Sequence, residues 1–282
     1  MSETGPQNRS VSWADLQPRL LSAFVIVVVI GIALTLGGIF FAVGVGIVFG
    51  LTYREWEQMV TLKPVSPIGM ALVGLVALSA IGLPVFGWVG ALAPLVVAAI
   101  IAAVLGPWHT ALWRIGGLAF FGLVIFALIT LRGADTPGLI VGWFLGFVIA
   151  LNDSGAYFSG RLIGGEKLFP AISPAKTWSG AIGGWVIGTL AGTIYWLIFV
   201  PGSPWWIGLL LAAATGLLGQ VGDLTESGIK RRFRIKDSGD IIPGHGGLMD
   251  RLDSTTFAAL FVLAVGAWHA GLAHAALGFL NW

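Results

Sequence analysis

One polar stretch in the C-terminal half of the chain carries most of the side chains that could do chemistry. Asp223 ends a long apolar run, and Asp250 and Asp253 stand three residues apart just before the next one. If a helix begins near Gly247, the latter two carboxylates share one face of its first turn. Carboxylates from two helices, completed by substrate phosphates, are typical Mg²⁺ ligands. We therefore predict that Asp223, Asp250 and Asp253 bind one or two Mg²⁺ ions; the alternative is helix capping or pairing with Arg251.

A cluster of cations and a glycine-rich turn lie between these aspartates. The turn, 243–247, allows close backbone approach to an anion, and His245 within it could bind phosphate, move a proton or brace the loop. A basic patch that only touches anionic lipids is the simpler alternative, but such a patch does not need the aspartates. We predict that the stretch binds phosphates, and the cations are Lys230, Arg231, Arg232, Arg234 and Lys236.

A second polar stretch, 151–180, follows an earlier apolar run. Asp153 sits at a depth that is costly for a carboxylate unless it is paired or functional. Helix capping is an equal alternative for the two hydroxyl residues of this stretch. The glycine and Lys-Thr spacing does not fit a Walker A loop. The candidates for phosphate binding are Arg161, Lys167, Ser173, Lys176 and Thr177.

The elements that must position these residues are membrane helices. Of 282 residues, 57% are hydrophobic and 10% charged, and the mean hydropathy is +0.92. These values exclude an ordinary soluble domain and predict an all-α integral membrane protein. About nine apolar segments approach the length needed to cross a bilayer. They are 20–36, 38–52, 67–86, 88–105, 115–131, 137–153, 180–200, 204–222 and 255–280.

Positive charge predicts the orientation. With nine crossings and a cytoplasmic N-terminus, all of the 15 lysines and arginines except Arg132 fall on the cytoplasmic side. The C-terminus is then outside, and the functional site lies at the cytoplasmic membrane boundary, where loops 154–179 and 223–254 can meet. We expect three regions: a polar N-terminal segment, 1–19; N-terminal transmembrane helices, 20–150; and a C-terminal catalytic region, 151–282.

The polar residues also resemble the signature of a known family, the phosphatidate cytidylyltransferases (CDP-diacylglycerol synthases). The other polar stretch matches through Asn152-Asp153, Ala156-Tyr157, Gly160-Arg161 and Ser173-Pro174, but Ser179 stands where members commonly carry Glu. The resemblance covers at least residues 150–282. The matching signature residues are Ser227, Lys230, Arg231, Lys236, Asp237, Gly239, Pro243, His245, Gly246, Gly247, Asp250, Arg251 and Asp253.

The resemblance implies Mg²⁺-dependent transfer of a cytidylyl group from CTP to phosphatidic acid, giving CDP-diacylglycerol and pyrophosphate. On this reading the catalytic residues are Asp223, Asp250, Asp253, Lys230, Lys236 and His245. The substrate-binding residues are Asp153, Arg161, Ser173, Lys176, Thr177, Ser227, Arg231, Asp237, Gly246, Gly247 and Arg251.

Two other functions are open at this point. A CTP-dependent lipid-alcohol kinase would share the nucleotide and metal chemistry. A transporter would require ionisable residues near mid-membrane on several helices, whereas these spans are nearly free of charge. We expect membrane lipids but no nucleic acid as partners, allow for a homodimer, and predict a multi-pass protein of the bacterial inner membrane.

Overall fold

A computed structural model describes residues 27–239, 241 and 246–282 of the chain. The polar segment 1–19, Pro243 and His245 lie outside the described residues. The helices are α1, described over Val27–Leu36, α2 Gly38–Thr61, α3 Pro67–Leu105, α4 Trp108–Arg132, α5 Thr136–Ile163, α6 Trp178–Phe199, α7 Trp205–Arg232, α8 Asp253–Ala270 and α9 Ala275–Leu280. A β-hairpin joins α5 to α6, and single 3-10 turns lie at Met249–Arg251 and Leu272–His274.

The helices have the dimensions and surface of membrane spans. Within the described ranges, the six helices α2 to α7 are long and apolar enough to cross a bilayer, and α8 with α9 makes a seventh if that bent pair is one span. Large apolar side chains such as Phe86, Leu112 and Trp268 point outward. An exposed apolar surface of this extent is stable in lipid. The protein is therefore an integral membrane protein built mainly of α-helices.

Glycines break the helices at two of the predicted boundaries. Gly37, with φ 62°, separates α1 from α2, and Gly87, with φ 65°, interrupts α3. A Cβ placed on Gly82 would collide with the carbonyl group of Gly90. Residues eight apart in a continuous helix are separated by about 12 Å, so the chain reverses direction at Gly87. The predicted divisions 36/38 and 86/88 both coincide with these breaks, while the total of nine crossings stays a prediction.

The predicted last span, 255–280, is wrong in its extent. Helix α8 runs over Asp253–Ala270, and the chain then bends by 112° into the short C-terminal helices. Gly271 adopts φ 79°, and the backbones of Gly266 and Ala275 pack against each other without room for a Cβ. Apolar composition continued across the bend, so hydropathy alone did not reveal it.

Two helices extend well beyond their predicted polar ends. Helix α5 continues to Ile163 and α7 to Arg232, instead of ending at 153 and 222. Loops 154–179 and 223–254 are correspondingly shorter than expected. An apolar run marks only the part of a helix that lipid surrounds, whereas internal backbone hydrogen bonds allow the helix to continue. Asp153 and Asp223 therefore lie within helices, about two to three turns before their C-terminal ends.

The all-α expectation also misses one small sheet. Strands β1, Lys167–Phe169, and β2, Ser173–Thr177, pair antiparallel, with Lys167 opposite Thr177 and Phe169 opposite Ser173. The side chain of Thr177 then accepts a hydrogen bond from the N–H of Gly180 at 3.1 Å. Thr177 is thus the N-cap of α6, the alternative that capping preferences suggested.

Close packing between α5 and α6 holds the second polar stretch in place. A Cβ on Gly184 would lie 2.5 Å from the carbonyl oxygen of Asn152, and one on Gly188 would lie 2.9 Å from the Cβ of Asn152. Small residues let membrane helices approach to backbone contact. The interface holds α5 and α6, the two helices that the hairpin joins, in a fixed relation and so positions the site described next.

Candidate active site

Three helices bring three aspartates to one place. Asp153 comes from α5, Asp223 from α7, and Asp253 is the first residue of α8. Asp223 and Asp153 both repel Asp253 electrostatically, and Asp223 also repels Asp153, so the three carboxylates are neighbours. The hydroxyl of Ser254 donates to Asp153 at 3.3 Å. The arrangement concentrates negative charge where a cation would be stabilised.

Backbone contact explains how α8 reaches this position. A Cβ on Gly222 would lie 2.5 Å from the carbonyl oxygen of Asp253, so only glycine lets the start of α8 approach α7 this closely. Beside it, the amide of Gln220 donates to Asn152 Oδ1 at 3.1 Å and to the carbonyl of Ala181 at 2.9 Å. This amide connects three helices, α5, α6 and α7, directly behind the aspartates.

The β-hairpin closes one side of the site. Lys176, on β2, forms an ion pair with Asp223, and both side chains are partly exposed. Arg231 donates through Nε to the carbonyl of Ile172 at 3.0 Å, which ties the end of α7 to the hairpin. The prediction that the two polar stretches meet is confirmed. A partly exposed ammonium beside a carboxylate is available to a phosphate that enters the site.

A second ionic group lies further along α7. Lys230, which is 7% exposed, contacts Glu226 at 3.1 Å and also contacts Asp250. Glu226 in turn experiences repulsion from Asp253 and Asp250. The aspartate group of Asp223 and Asp253 and the ionic group of Lys230 and Asp250 are therefore neighbours, with Glu226 between them. Lys230 offsets part of the negative charge.

Asp250 is held by several donors from its own loop. Its Oδ2 atom accepts from the N–H of Ser238 at 3.1 Å, the hydroxyl of Ser238 at 3.0 Å and the N–H of Gly247 at 3.3 Å. Burial raises the pKa of Asp250, but Lys230 and the hydrogen bonds from Ser238 outweigh it, so the pKa lies below its usual range. Asp250 is a stable carboxylate in this setting.

The predicted shared face of Asp250 and Asp253 is wrong in its details. Asp250 belongs to the 3-10 turn Met249–Arg251, and α8 begins only at Asp253. Asp253 faces Asp223, whereas Asp250 faces Lys230 and Ser238. Asp250 and Asp253 thus belong to two adjoining groups, not to one helical turn, and Asp223 lies with Asp253.

Several other predicted residues lie at the edges of these groups. Arg161 is exposed, donates to the hydroxyl of Tyr157 at 2.8 Å and lies about 12 Å further along α5 than Asp153. The hydroxyl of Ser179 donates to the carbonyl of Gly164 at the end of α5. The hairpin and the α7–α8 connection carry the others: Lys167, Lys236, Asp237 and Arg251 are exposed, Ser173, Ser227 and Gly246 are half-buried, and Gly247 is buried.

The carboxylates can be tested for their fit to Mg²⁺. In the part of the chain that the structure describes, no group of three or more acidic or histidine side chains is arranged to hold a metal ion directly. Asp223 and Asp253, however, present mutually repelling oxygens in a partly exposed position. Mg²⁺ in nucleotide enzymes commonly takes one or two carboxylates and keeps water or phosphate as its other ligands. The pair fits an ion bound together with its substrate.

Glu55 was not among the residues predicted from the sequence, but the structure places it beside Asp250. It is fully buried on α2 and accepts hydrogen bonds from the N–H groups of Leu248 at 2.9 Å and Met249 at 2.8 Å. The sequence did contain a signal. Two glutamates, Glu55 and Glu57, lie within five residues of the apolar run 38–52, where a buried carboxylate needs a partner.

Comparisons with known proteins agree on the kind of protein that this chain resembles. The model of the cytidylyltransferase family matches residues 17–268. A phosphatidate cytidylyltransferase of Brucella suis is 42% identical over 156 residues, which cover 55% of this chain and 57% of that protein. The Bacillus subtilis protein of the same name is 42% identical over 143 residues, 51% of this chain and 53% of its own length. A Staphylococcus haemolyticus relative, also so named, is 51% identical over 111 residues, 39% of this chain and 42% of its length. The matched part thus spans about half the length of these curated relatives.

Proposed function

Because the chain belongs to the cytidylyltransferase family, we propose that it transfers the cytidylyl group of CTP to phosphatidic acid. A phosphate oxygen of phosphatidic acid attacks the α-phosphorus of CTP, the bond to the β-phosphate breaks, and pyrophosphate leaves. The products are CDP-diacylglycerol and pyrophosphate. The acceptor and the reaction type follow from the relatives, which are phosphatidate cytidylyltransferases.

The observation that carries this proposal is the meeting of the aspartate group with Lys176 in a protein of apolar, membrane-spanning helices. Asp153, Asp223 and Asp253 come together from three helices, and Lys176 pairs with Asp223. Substrates with phosphate groups need cations for charge neutralisation and carboxylates for their metal ions. A lipid substrate needs the same site to open to the membrane.

Among the residues, Asp223 and Asp253 would hold Mg²⁺, which neutralises developing charge on the phosphates when it is bound. Lys176 would exchange Asp223 for a substrate phosphate. Lys230 keeps Asp250 ionised and in place. Asp250, which the sequence also predicts as a metal ligand, would instead order the loop that carries Ser238 and Gly247.

Orientation is also part of the proposal. Arg114 and Arg132 both lie on α4, 18 residues and so about 27 Å apart, close to the hydrocarbon thickness of a bilayer. Trp113, beside Arg114, contacts Phe233 at the end of α7, while Arg132 donates to the carbonyl of Thr35 at the other end. This separation supports a full crossing by α4, and from the positive-inside rule we propose nine crossings with the site on the cytoplasmic side of a bacterial inner membrane.

The two alternatives receive less support. The relatives named above are cytidylyltransferases and give no support to a lipid-alcohol kinase. A transporter would need ionisable groups deep on several helices, and the ionic contacts described here gather at one end.

The proposal is tested with purified protein in detergent, CTP and phosphatidic acid. We expect release of one pyrophosphate per CDP-diacylglycerol formed, dependent on both phosphatidic acid and Mg²⁺, and abolished by EDTA. Pyrophosphate release that ignores phosphatidic acid, or no release at all from folded protein, would contradict it.

A further inference from the structure

Glu55 makes a contact that joins the N-terminal helices to the proposed site. Its Oε1 atom accepts from the N–H of Leu248, and its Oε2 atom accepts from the N–H of Met249 and the hydroxyl of Ser238 at 3.1 Å. Ser238 and Leu248 stand ten positions apart in the sequence. One buried carboxylate therefore fastens two separate parts of the connection between α7 and α8.

Two glycines of the signature make room for this carboxylate. A Cβ on Gly239 would lie 2.8 Å from Glu55 Oε1, and a Cβ on Gly247 would lie 2.9 Å from Glu55 Oε2 and would collide with the hydroxyl of Ser238. Gly247 does not adopt a positive φ. Space, not backbone conformation, explains why glycine suits position 247.

The contact continues from Glu55 to Asp250. The Ser238 hydroxyl lies 3.1 Å from Glu55 and 3.0 Å from Asp250, and the Ser238 N–H also donates to Asp250 at 3.1 Å. A hydroxyl has only one hydrogen to donate, so the two carboxylates share one donor. A shift of Ser238 would therefore disturb both carboxylates, and with Asp250 the lysine that pairs with it, Lys230.

We propose that Glu55 is a positioning residue of the active site, acting through Ser238 and the 248–249 backbone to hold Asp250 and Lys230. This inference rests on the proposed function. Glu55 is fully buried, so it acts on substrate only through these neighbours. Its role explains why a helix far away in the sequence is needed by a site built from the C-terminal half.

Nearby Glu57 shows that burial of a glutamate on α2 does not by itself create this link. Glu57 is also buried, but its carboxylate pairs with Arg114 on α4. Tyr53, on the same helix, is buried and donates through its hydroxyl to the carbonyl of Arg114 at 3.2 Å. Tyr53→Phe therefore removes one buried hydrogen bond from α2 without touching the 238–250 contacts, and it is a matched control.

The test compares Glu55→Gln, Ser238→Ala, the double variant and Tyr53→Phe in the full chain. In Glu55→Gln an NH₂ group replaces one of the two carboxylate oxygens. This donor then faces the N–H and O–H donors from which that oxygen accepted hydrogen bonds, so those bonds are lost. We expect kcat for CDP-diacylglycerol formation to fall about 10- to 100-fold, the range expected when catalytic groups are slightly misplaced, with KM for CTP changed less than about threefold. The double variant should lose clearly less than the product of the two single losses, since both variants disturb the shared Ser238 contact, and Tyr53→Phe should stay within about twofold of wild type.

Hydrogen exchange gives a readout that does not depend on turnover. The amides of Leu248 and Met249 should exchange at least about tenfold faster in Glu55→Gln and at the wild-type rate in Tyr53→Phe. Wild-type kcat in folded Glu55→Gln, even with a lower melting temperature, would overturn the proposal and leave Glu55 a structural residue. Strictly additive losses in the double variant would also overturn it. If wild-type protein itself forms no CDP-diacylglycerol while the exchange result holds, the proposed function fails and the Glu55 contact stands.

Discussion

At the residue scale, the site separates two kinds of aspartate. Asp223 and Asp253 face each other with few compensating donors described between them beyond Lys176 and the Ser254 N–H. Asp250 is surrounded by donors from Lys230, Ser238 and Gly247. The first two are suited to bind a cation, and the third is suited to order the loop around it.

This difference predicts different responses to Mg²⁺. Asp223→Asn and Asp253→Asn should lower turnover by about 10²-fold or more at ordinary Mg²⁺, because a bound metal supplies several kcal/mol of charge stabilisation, and added Mg²⁺ should restore part of the loss. Asp250→Asn should lower turnover to a similar extent, since Lys230 keeps only Glu226 as a carboxylate partner, but Mg²⁺ should not restore it. Initial rates across a Mg²⁺ titration check this.

Asp135→Asn is the matched control for these variants. Asp135 accepts from the N–H of Gly138 at 3.0 Å as the N-cap of α5, and asparagine caps helices equally well. Its activity should equal that of wild type. Near-normal turnover of Asp223→Asn at ordinary Mg²⁺, with a normal melting temperature, would remove Asp223 from the metal site.

At the element scale, apolar runs predicted where helices lie better than where they end. The helix breaks occur at Gly37 and Gly87, and these glycines could be identified in the sequence as candidate break points. The extensions of α5 to Ile163 and of α7 to Arg232 could not be read from hydropathy, since polar residues continue a helix outside lipid. The bend after Ala270 was hidden for the opposite reason, because apolar residues continue across it.

In the site, too, the residues could be predicted from the sequence more readily than their contacts. Asp223, Asp253 and Lys176 were predictable, since ionisable groups at the ends of apolar runs are costly without a function or a partner. The pairing of Lys176 with Asp223 depends on a hairpin that no apolar pattern marks. Glu55 lies 183 residues before Ser238 in sequence, and only the packing of α2 against the α7–α8 connection shows what it binds.

At the scale of the whole molecule, charge is distributed between two ends. Arg114, Lys176 and Lys230 lie with the site, whereas Arg132 lies at the opposite end of α4 beside Thr35. From the positive-inside rule we propose that the site is cytoplasmic, so that CTP would enter from the cytoplasm and phosphatidic acid from the membrane. A homodimer stays a prediction.

The orientation predicts the accessibility of two exposed positions. Because the chain contains no cysteine, Lys63→Cys and Gly202→Cys each introduce a single thiol, both at exposed sites in turns. A membrane-impermeant maleimide added to intact spheroplasts should label position 202 and leave position 63 unlabelled until the membrane is opened. Labelling of both positions from the same side would contradict the nine-crossing arrangement.

The central claim is that this site transfers the cytidylyl group, and the most direct measurement follows the phosphorus atoms of CTP. Purified protein is incubated with phosphatidic acid, Mg²⁺ and CTP that is labelled at either the α- or the γ-phosphorus. We predict that the α-label enters the lipid fraction and that the γ-label is recovered in pyrophosphate, because the bond between the α- and β-phosphates breaks. Entry of the γ-label into lipid would show phosphoryl transfer by a lipid kinase and would contradict the account.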